Sequence, residues 1–284
     1  MLRMTAYELM KIASQKKTYI AAAGHMLLVL LCFVSFKLSK GKFLLDALDR
    51  KSPIDFQNIA DYADGLFFAR AALVPTFLIV MPILVSTLAG DCIAGEIQEG
   101  TLKLLLARGR SRTKLVISKF LAIYLVVAAY SLYFGIIMIL VGIAFFGISQ
   151  TQLVFLEAYV LGNDFAIATI PEALSGYCWS LVYFSFSTMA LGSVGLFLSS
   201  CFDRMTAAAV GCITFYFVCY IVDKLPFTAV VRPYLISNTM DGAFVFHLAE
   251  IPYMRLTSNL VSLSGYIAVF LLLSIITFRL KDIK

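Results

Sequence analysis

Long apolar runs alternate with shorter polar segments along this sequence. Six runs stand out, at residues 19–36, 67–89, 118–147, 175–199, 205–222 and 260–278. Each is near or above the ~20 residues a helix needs to cross ~30 Å of hydrocarbon. The pattern predicts six transmembrane helices in an all-α integral membrane protein, with one membrane domain over residues 1–284. Ahead of the first run, Leu2, Ala6, Leu9 and Ala13 recur at helical spacing, with Arg3, Lys11, Lys16 and Lys17 among them. Residues 1–17 therefore predict an amphipathic helix lying in the membrane interface.

The connections differ in kind. Residues 37–65 are polar, with five acids and five bases, and too long for a turn. The second run carries Pro75 and Pro82. Each removes a backbone donor and favours a bend, and neighbouring helices or waters must satisfy the freed carbonyls. The 118–147 run exceeds the hydrocarbon thickness, which predicts tilting or projection. Residues 148–175 hold Glu157, Asp164 and Glu172 and no base, and their apolar residues predict a short interfacial helix. The link between runs four and five is short enough to make them an antiparallel hairpin, and Ala207 with Gly211 fits a small-xxx-small packing pattern. Residues 223–259, broken by Pro226, Pro233 and Pro252, predict short helices that dip into the membrane from an outer loop.

Composition supports the membrane assignment: 61% of residues are hydrophobic and 14% charged, against about 45–50% and 25% in soluble domains. Both termini, the 91–119 stretch and the 201–206 link share one side in a six-span plan. That side carries 14 bases against 6 acids, and the other 9 bases against 11 acids. Lys and Arg mark the cytoplasmic face, so both termini are expected inside, in a bacterial plasma (inner) membrane. No basic stripe with interleaved aromatics points to nucleic acid. The six cysteines read as small buried hydrophobes, with no C-x-x-C pair, and His25 and His247 form no ligand cluster. Phosphate-loop, H-E-x-x-H and G-x-S-x-G motifs are absent. The sequence thus predicts no catalytic, cofactor-binding or metal-ligating residue. His25, inside the first run, reads as a packed, hydrogen-bonded residue rather than one step of an ion relay.

The longest well-charged interruption is 91–117, acid first and base second, with a short leucine patch between. Asp91, Gly95-Glu96, Glu99-Gly100-Thr101-Leu102, Leu105-Leu106, Arg112 and Lys119 resemble the segment between the second and third helices of ABC-2-type permeases, the membrane subunits of a group of ABC transporters. Tyr7-Glu8-Leu9 in the basic N-terminal helix and the Phe278-Arg279 ending resemble the same family, although Gly109 stands where a proline is common. The resemblance implies a type V ABC exporter-like fold, with an N-terminal elbow helix and a cytoplasmic coupling helix between helices 2 and 3. It implies two permease subunits, as a homodimer or a pair with a related permease, and a separate ATPase subunit that binds ATP-Mg, with the substrate exported. Glu96, Glu99, Gly100, Thr101, Leu102, Leu105, Leu106, Arg108 and Arg112 would then form the ATPase-coupling surface. In that reading Gly100 permits a bend, Thr101 caps the next helix, the leucines enter an ATPase groove and the glutamates pair with partner bases.

Rival readings are an ion-gradient-driven secondary transporter, which wants buried charges or paired broken helices, an intramembrane enzyme, and a non-transporting membrane immunity or scaffold protein.

Overall fold

A computed structural model describes residues 2–39, 64–107, 109, 111–155 and 165–282 of the chain. The polar segment at 40–63, including its charges, lies outside the described residues, as does Arg108. Helix α1 (Leu2–Ser14) precedes α2 (Lys16–Ser39). Next come α3 (Gly65–Pro75), a π-helical stretch (Thr76–Val80) and α4 (Met81–Gln98), which together form one long span. The short α5 (Thr101–Ala107) leads into α6 (Arg112–Phe146). Strands β1 (Thr151–Phe155) and β2 (Phe165–Thr169) come next, then α7 (Ile170–Cys201) and α8 (Met205–Lys224). Two 3₁₀ turns (Pro226–Thr228 and Arg232–Tyr234), α9 (Ile236–Met240) and a longer 3₁₀ stretch (Asp241–His247) lead to the last helix, α10 (Tyr253–Leu280). Among the described residues, six helical spans, at 18–38, 65–98, 112–146, 170–201, 205–224 and 253–280, are long and apolar enough to cross a membrane. The chain is thus a multi-pass, almost wholly helical membrane protein, and the apolar runs locate all six spans.

Helix α7 is the axis of the bundle. It packs against α4, α6, α8 and α10 and is mostly buried, whereas α2 and α10 are mostly exposed. A capping box starts it: Glu172 accepts from the Thr169 N–H at 2.8 Å and from its hydroxyl at 2.9 Å, with Pro171 in the first turn. Residues 148–155 do not form the expected interfacial helix. Strands β1 and β2 pair antiparallel, from Thr151 opposite Thr169 to Phe155 opposite Phe165. The Thr-Gln-Leu-Val-Phe and Phe-Ala-Ile-Ala-Thr runs favour strand because β-branched and aromatic residues suit a pleated surface better than a helix.

No N–H at Pro82 can reach the Leu78 carbonyl four residues back, and the Tyr216 hydroxyl from α8 donates to that carbonyl at 3.2 Å. The Thr76 hydroxyl donates to the Ala72 carbonyl at 3.0 Å. The span thus shifts register through a π turn, with the Leu78 and Ala72 carbonyls accepting side-chain hydroxyls.

Close helix approach uses small residues, but not the Ala207–Gly211 pair. Ala207 is exposed, and the face of α8 turned inward is Ala208, Cys212, Tyr216 and Cys219, recurring at helical spacing. A Cβ on Gly90 would press on the Ala209 backbone, one on Gly195 on Ala89, and one on Gly65 on the Gly142 backbone. Cys92, Cys212 and Cys219 are buried and all six cysteines are free, although Cys178 and Cys201 are exposed.

Hydrogen bonds sort the connections to two ends. At one end, Arg112 at the start of α6 donates to the carbonyls of Phe278, Arg279 and Lys281 at 3.1, 3.0 and 2.8 Å. Lys281 in turn donates to the carbonyls of Ser200, Cys201 and Phe202 and pairs with Asp203 at 2.7 Å. That end therefore gathers α1, the α4–α5–α6 connection, the α7–α8 link and the C-terminal residues. At the other end, Asp64 caps α3 through the Phe67 N–H at 2.9 Å, accepts from the Ser149 N–H at 2.9 Å, and also binds the Gln152 amide. The same end holds the β-hairpin and the short helices between α8 and α10. Asp223 pairs there with Lys224 at 2.8 Å, and Asp241 lies 3.9 Å from Lys224.

Two outcomes follow from this packing. Gly65→Leu drives backbone against backbone and lowers the thermal unfolding temperature of the purified chain, at a cost of about 1–3 kcal/mol. Gly24→Ala, where a Cβ meets nothing within 4 Å, leaves it unchanged or slightly raised. Burial pushes the Asp241 carboxyl up from 3.8 to about 6, with Asp223 adding to the rise and Lys224 and Arg255 opposing it. An acid raised in this way binds its proton more tightly when folded. Its contribution to stability is therefore present below the unfolded value and lost as pH rises to the folded one. Unfolding free energies measured from pH 4 to pH 7 are expected to fall by about 3 kcal/mol from this group, and Asp241→Asn to remove that slope.

Candidate functional site

The site is the end where α1, α4, α5 and α6 meet. Helix α1 is amphipathic, and its inward face carries Thr5, Glu8 and Ile12, all buried. Glu96 is near the last turn of α4, and Lys119 is in the second turn of α6. Lys119 Nζ donates to Glu96 Oε1 at 2.6 Å and to Glu8 Oε2 at 3.0 Å. Lys11 Nζ reaches the same Glu96 oxygen at 2.6 Å. Glu96 and Lys119 are each 1% exposed at the side chain, Glu8 is 5% and Lys11 29%. Two bases and two acids make a charge-neutral group, which a low-dielectric site requires of buried ions. Its members come from three helices, and the pairs are separated by 23, 85 and 111 residues.

Just below the cluster, Ser199 of α7 enters the backbone of α4. Its hydroxyl donates to the Gly90 carbonyl at 2.7 Å and accepts from the N–H groups of Ile93 and Ala94 at 3.0 and 2.9 Å. A side chain inserted into a helical ladder is a recognised origin of bending.

Beyond Glu96 the chain turns. Gly100 and Gly109 adopt φ of +71° and +70°, the left-handed region that glycine enters without strain. Between them, α5 is a helix of 7 residues. Leu102 is fully buried against the bundle, Leu105 and Leu106 are half-buried, and Leu104 is 68% exposed.

The residues expected at a coupling surface therefore divide. Gly100 makes the bend, and Glu99 and Thr101 are exposed. The Thr101 hydroxyl donates to the Glu96 carbonyl at 3.4 Å, so it closes the preceding helix rather than capping α5. Glu96 does not face water. It is buried because Lys119 and Lys11 converge on it, so it is occupied within the chain. Leu102 likewise fills the chain's own core, and Arg112 caps the end of α10 with its guanidinium also over the Phe278 ring, 5.9 Å away. Arg108 lies outside the described residues. Leu104, which the leucine reading passed over, presents the apolar surface. Sequence reasoning also missed the pairing of Lys11 and Lys119 with Glu96, of Lys119 with Glu8, and the insertion of Ser199. No local spacing could signal contacts between such distant positions. His25 is buried and stacked on Phe134 at 3.7 Å, with neither ring nitrogen hydrogen-bonded among the described residues. It is packed, and the expected hydrogen bond is not found.

This architecture defines the class: a six-span helical membrane protein with a buried ionic cluster at one end of the bundle. The chain belongs to the family described as "Protein of unknown function (DUF2705)", matched over residues 28–284. It is similar to "Uncharacterized protein YhcI" of Bacillus subtilis (strain 168), at 27% identity over 226 residues. The match covers 73% of this chain and 66% of that relative's length.

Removing one member of a buried ion group strands the rest, at a cost of about 3–5 kcal/mol. Lys119→Met is therefore expected to abolish a monodisperse purified chain or to lower its unfolding temperature sharply. Glu96→Gln combined with Lys119→Met recovers part of the loss, since one of the stranded charges is gone. Comparing unfolding of both variants and of Glu96→Gln alone as a double-mutant cycle measures the coupling directly.

Proposed function

We propose that this chain is the permease subunit of an ABC-2-type transporter. It would form the translocation path in a bacterial plasma membrane as a dimer and couple to a separate ATPase subunit that binds ATP-Mg, for export. One observation carries the reading: α5 lies between two left-handed glycines, seated on the bundle by Leu102 with Leu104 exposed, and follows directly on Glu96 of the Glu8–Lys11–Glu96–Lys119 cluster. A soluble partner that grips α5 would pull on α1, α4 and α6 together, because separating ions in a low dielectric is costly. The likeness of residues 91–119 to the family's coupling segment supports the same reading. So does the excess of basic residues on the side holding both termini, which assigns that side to the cytoplasm in this proposal.

In this reading docking falls to Leu104, with Leu105, Leu106, Glu99 and Thr101 around it, rather than to Glu96, Leu102 or Arg112. An exposed leucine on a short helix suits an apolar groove, and the charges beside it set register more than affinity. Co-expression with a candidate ABC ATPase subunit tests this. Leu104→Asp with Leu105→Asp is expected to lose the ATPase on affinity purification at least tenfold while the permease itself remains monodisperse. Undiminished retention of the ATPase would remove α5 as the docking element.

A further inference from the structure

Beyond Lys224 the chain turns back along the span it has just left. Lys281 ties the end of α10 to the α7–α8 link, so Cys201, Met205 and Leu280 mark one level, with Arg204 and Arg279 beside it. The rings of Phe215 and Phe270, each ten residues from that level, meet at 6.4 Å, so α8 and α10 rise together. At ~1.5 Å per residue, Lys224 stands about 28 Å above it. The Thr228 hydroxyl donates to the Val222 carbonyl at 2.6 Å, below the end of α8. The Tyr266 hydroxyl donates to the Tyr234 carbonyl at 2.9 Å, and the Ile236 backbone hydrogen-bonds the Cys219 thiol. Tyr266 and Cys219 are both fourteen residues from the reference level, about 21 Å up. The Tyr183 hydroxyl donates to the Thr239 carbonyl at 2.7 Å. Tyr183 is eighteen residues up α7, about 27 Å from the same level. The chain from Pro226 to Thr239 thus descends by about 7 Å and climbs back. All of it stays within the ~30 Å of hydrocarbon.

The descending limb shows apolar side chains outward. Phe227 is 80% exposed and Val230 84%, and Val231 and Tyr234 are exposed as well. Holding four such side chains in water on one short stretch is costly in proportion to their area. Lys224 and Arg232 stand near the top of the dip and share the buried Asp223, at 2.8 and 3.7 Å, while much of each cation remains exposed. Long cationic side chains at that depth keep their stems in apolar surroundings and their charge among the headgroups.

We propose that Pro226–Tyr234 lies within the membrane, with Phe227, Val230, Val231 and Tyr234 covered by phospholipid acyl chains of the leaflet far from the Glu96 cluster. A second copy of the chain suits this surface less, because a two-fold contact brings Lys224 and Arg232 against their own images, like charge to like. A water-soluble partner is shut out by the headgroups. The placement does not depend on coupling through α5, so failure of either leaves the other standing.

Trp179 is the chain's one tryptophan, so Trp179→Phe gives a dark background in which single tryptophans report their own surroundings. In that background Val230→Trp and Tyr234→Trp are compared with Leu272→Trp, on the exposed middle of α10, and Ala249→Trp, exposed between the spans. Each full chain is placed in phosphatidylcholine nanodiscs, with and without bromine on the acyl chains, and titrated with iodide. Bromolipid is expected to quench Val230→Trp and Tyr234→Trp at least half as strongly as Leu272→Trp. Iodide is expected to quench them at least threefold less than Ala249→Trp. Tyr234→Trp exchanges one aromatic ring for another, so the reading survives if Val230→Trp does not fold. Iodide quenching equal to that of Ala249→Trp places the surface in water and overturns the proposal. Quenching by neither agent places protein over it and overturns the proposal equally.

Discussion

Burying Glu96 constrains one whole end of this protein. A carboxylate at that depth is tolerable only where cations meet it, and two do, Lys119 from α6 and Lys11 from α1. Lys119 is as deeply buried as the acid, and Glu8 completes its surroundings. Four groups on three helices thus fix each other's positions. Amphipathic α1 could lie at many angles in an interface. The Glu8–Lys119 pair selects one, with α1 pressed against the start of α6. The same end is closed by Arg112 and Lys281, each donating to three carbonyls at the end of a neighbouring helix. Cations there meet the negative ends of α10 and α7, where the helix dipole favours them.

The interior of the spans follows a second rule, that backbone polar groups need partners where water is scarce. Tyr216 serves the carbonyl that Pro82 leaves free, and Ser199 serves three backbone groups of α4 near Gly90. Both irregularities fall in the same long span, one on each side of its middle. That span is therefore divided by a π turn near Pro82 and a bridged stretch near Gly90. Its last turns, with Glu96, belong mechanically to the ionic cluster. Its first turns, with Arg70, lie at the opposite end, beside Asp64.

Much of this was legible in the sequence. Apolar runs locate six spans, with bounds up to nine residues short of the helices, because covering hydrocarbon demands length and composition that little else produces. Pro75 and Pro82 predict a bend, and glycine before Thr101 predicts a turn. What was not legible is partnership. The charges of residues 91–119 read as one water-facing surface, yet Glu96, Lys119 and Arg112 point into the chain's own structure and Glu99 points out. Linear spacing carries no information about pairs up to 111 residues apart. The β1–β2 hairpin was missed for a different reason. Its strands are 5 residues each, too short for period-two alternation to outweigh a general expectation of helix.

The buried cluster also bears on how motion could pass through the fold. Helices α1, α4 and α6 are joined by charges that water cannot screen, so displacing one while holding the others means pulling an ion from its partner in a low dielectric. That separation costs far more than sliding apolar side chains past each other. Helices α2 and α10, mostly exposed, have fewer such ties within the described residues. A force applied at α5 therefore moves three helix ends as a body. Compliance lies where the backbone is already irregular, at the Ser199 bridge and the π turn. A neutral set of ions is a stiffer joint than a leucine contact of the same size, which is a physical reason to place ionisable residues where an apolar core would otherwise suffice.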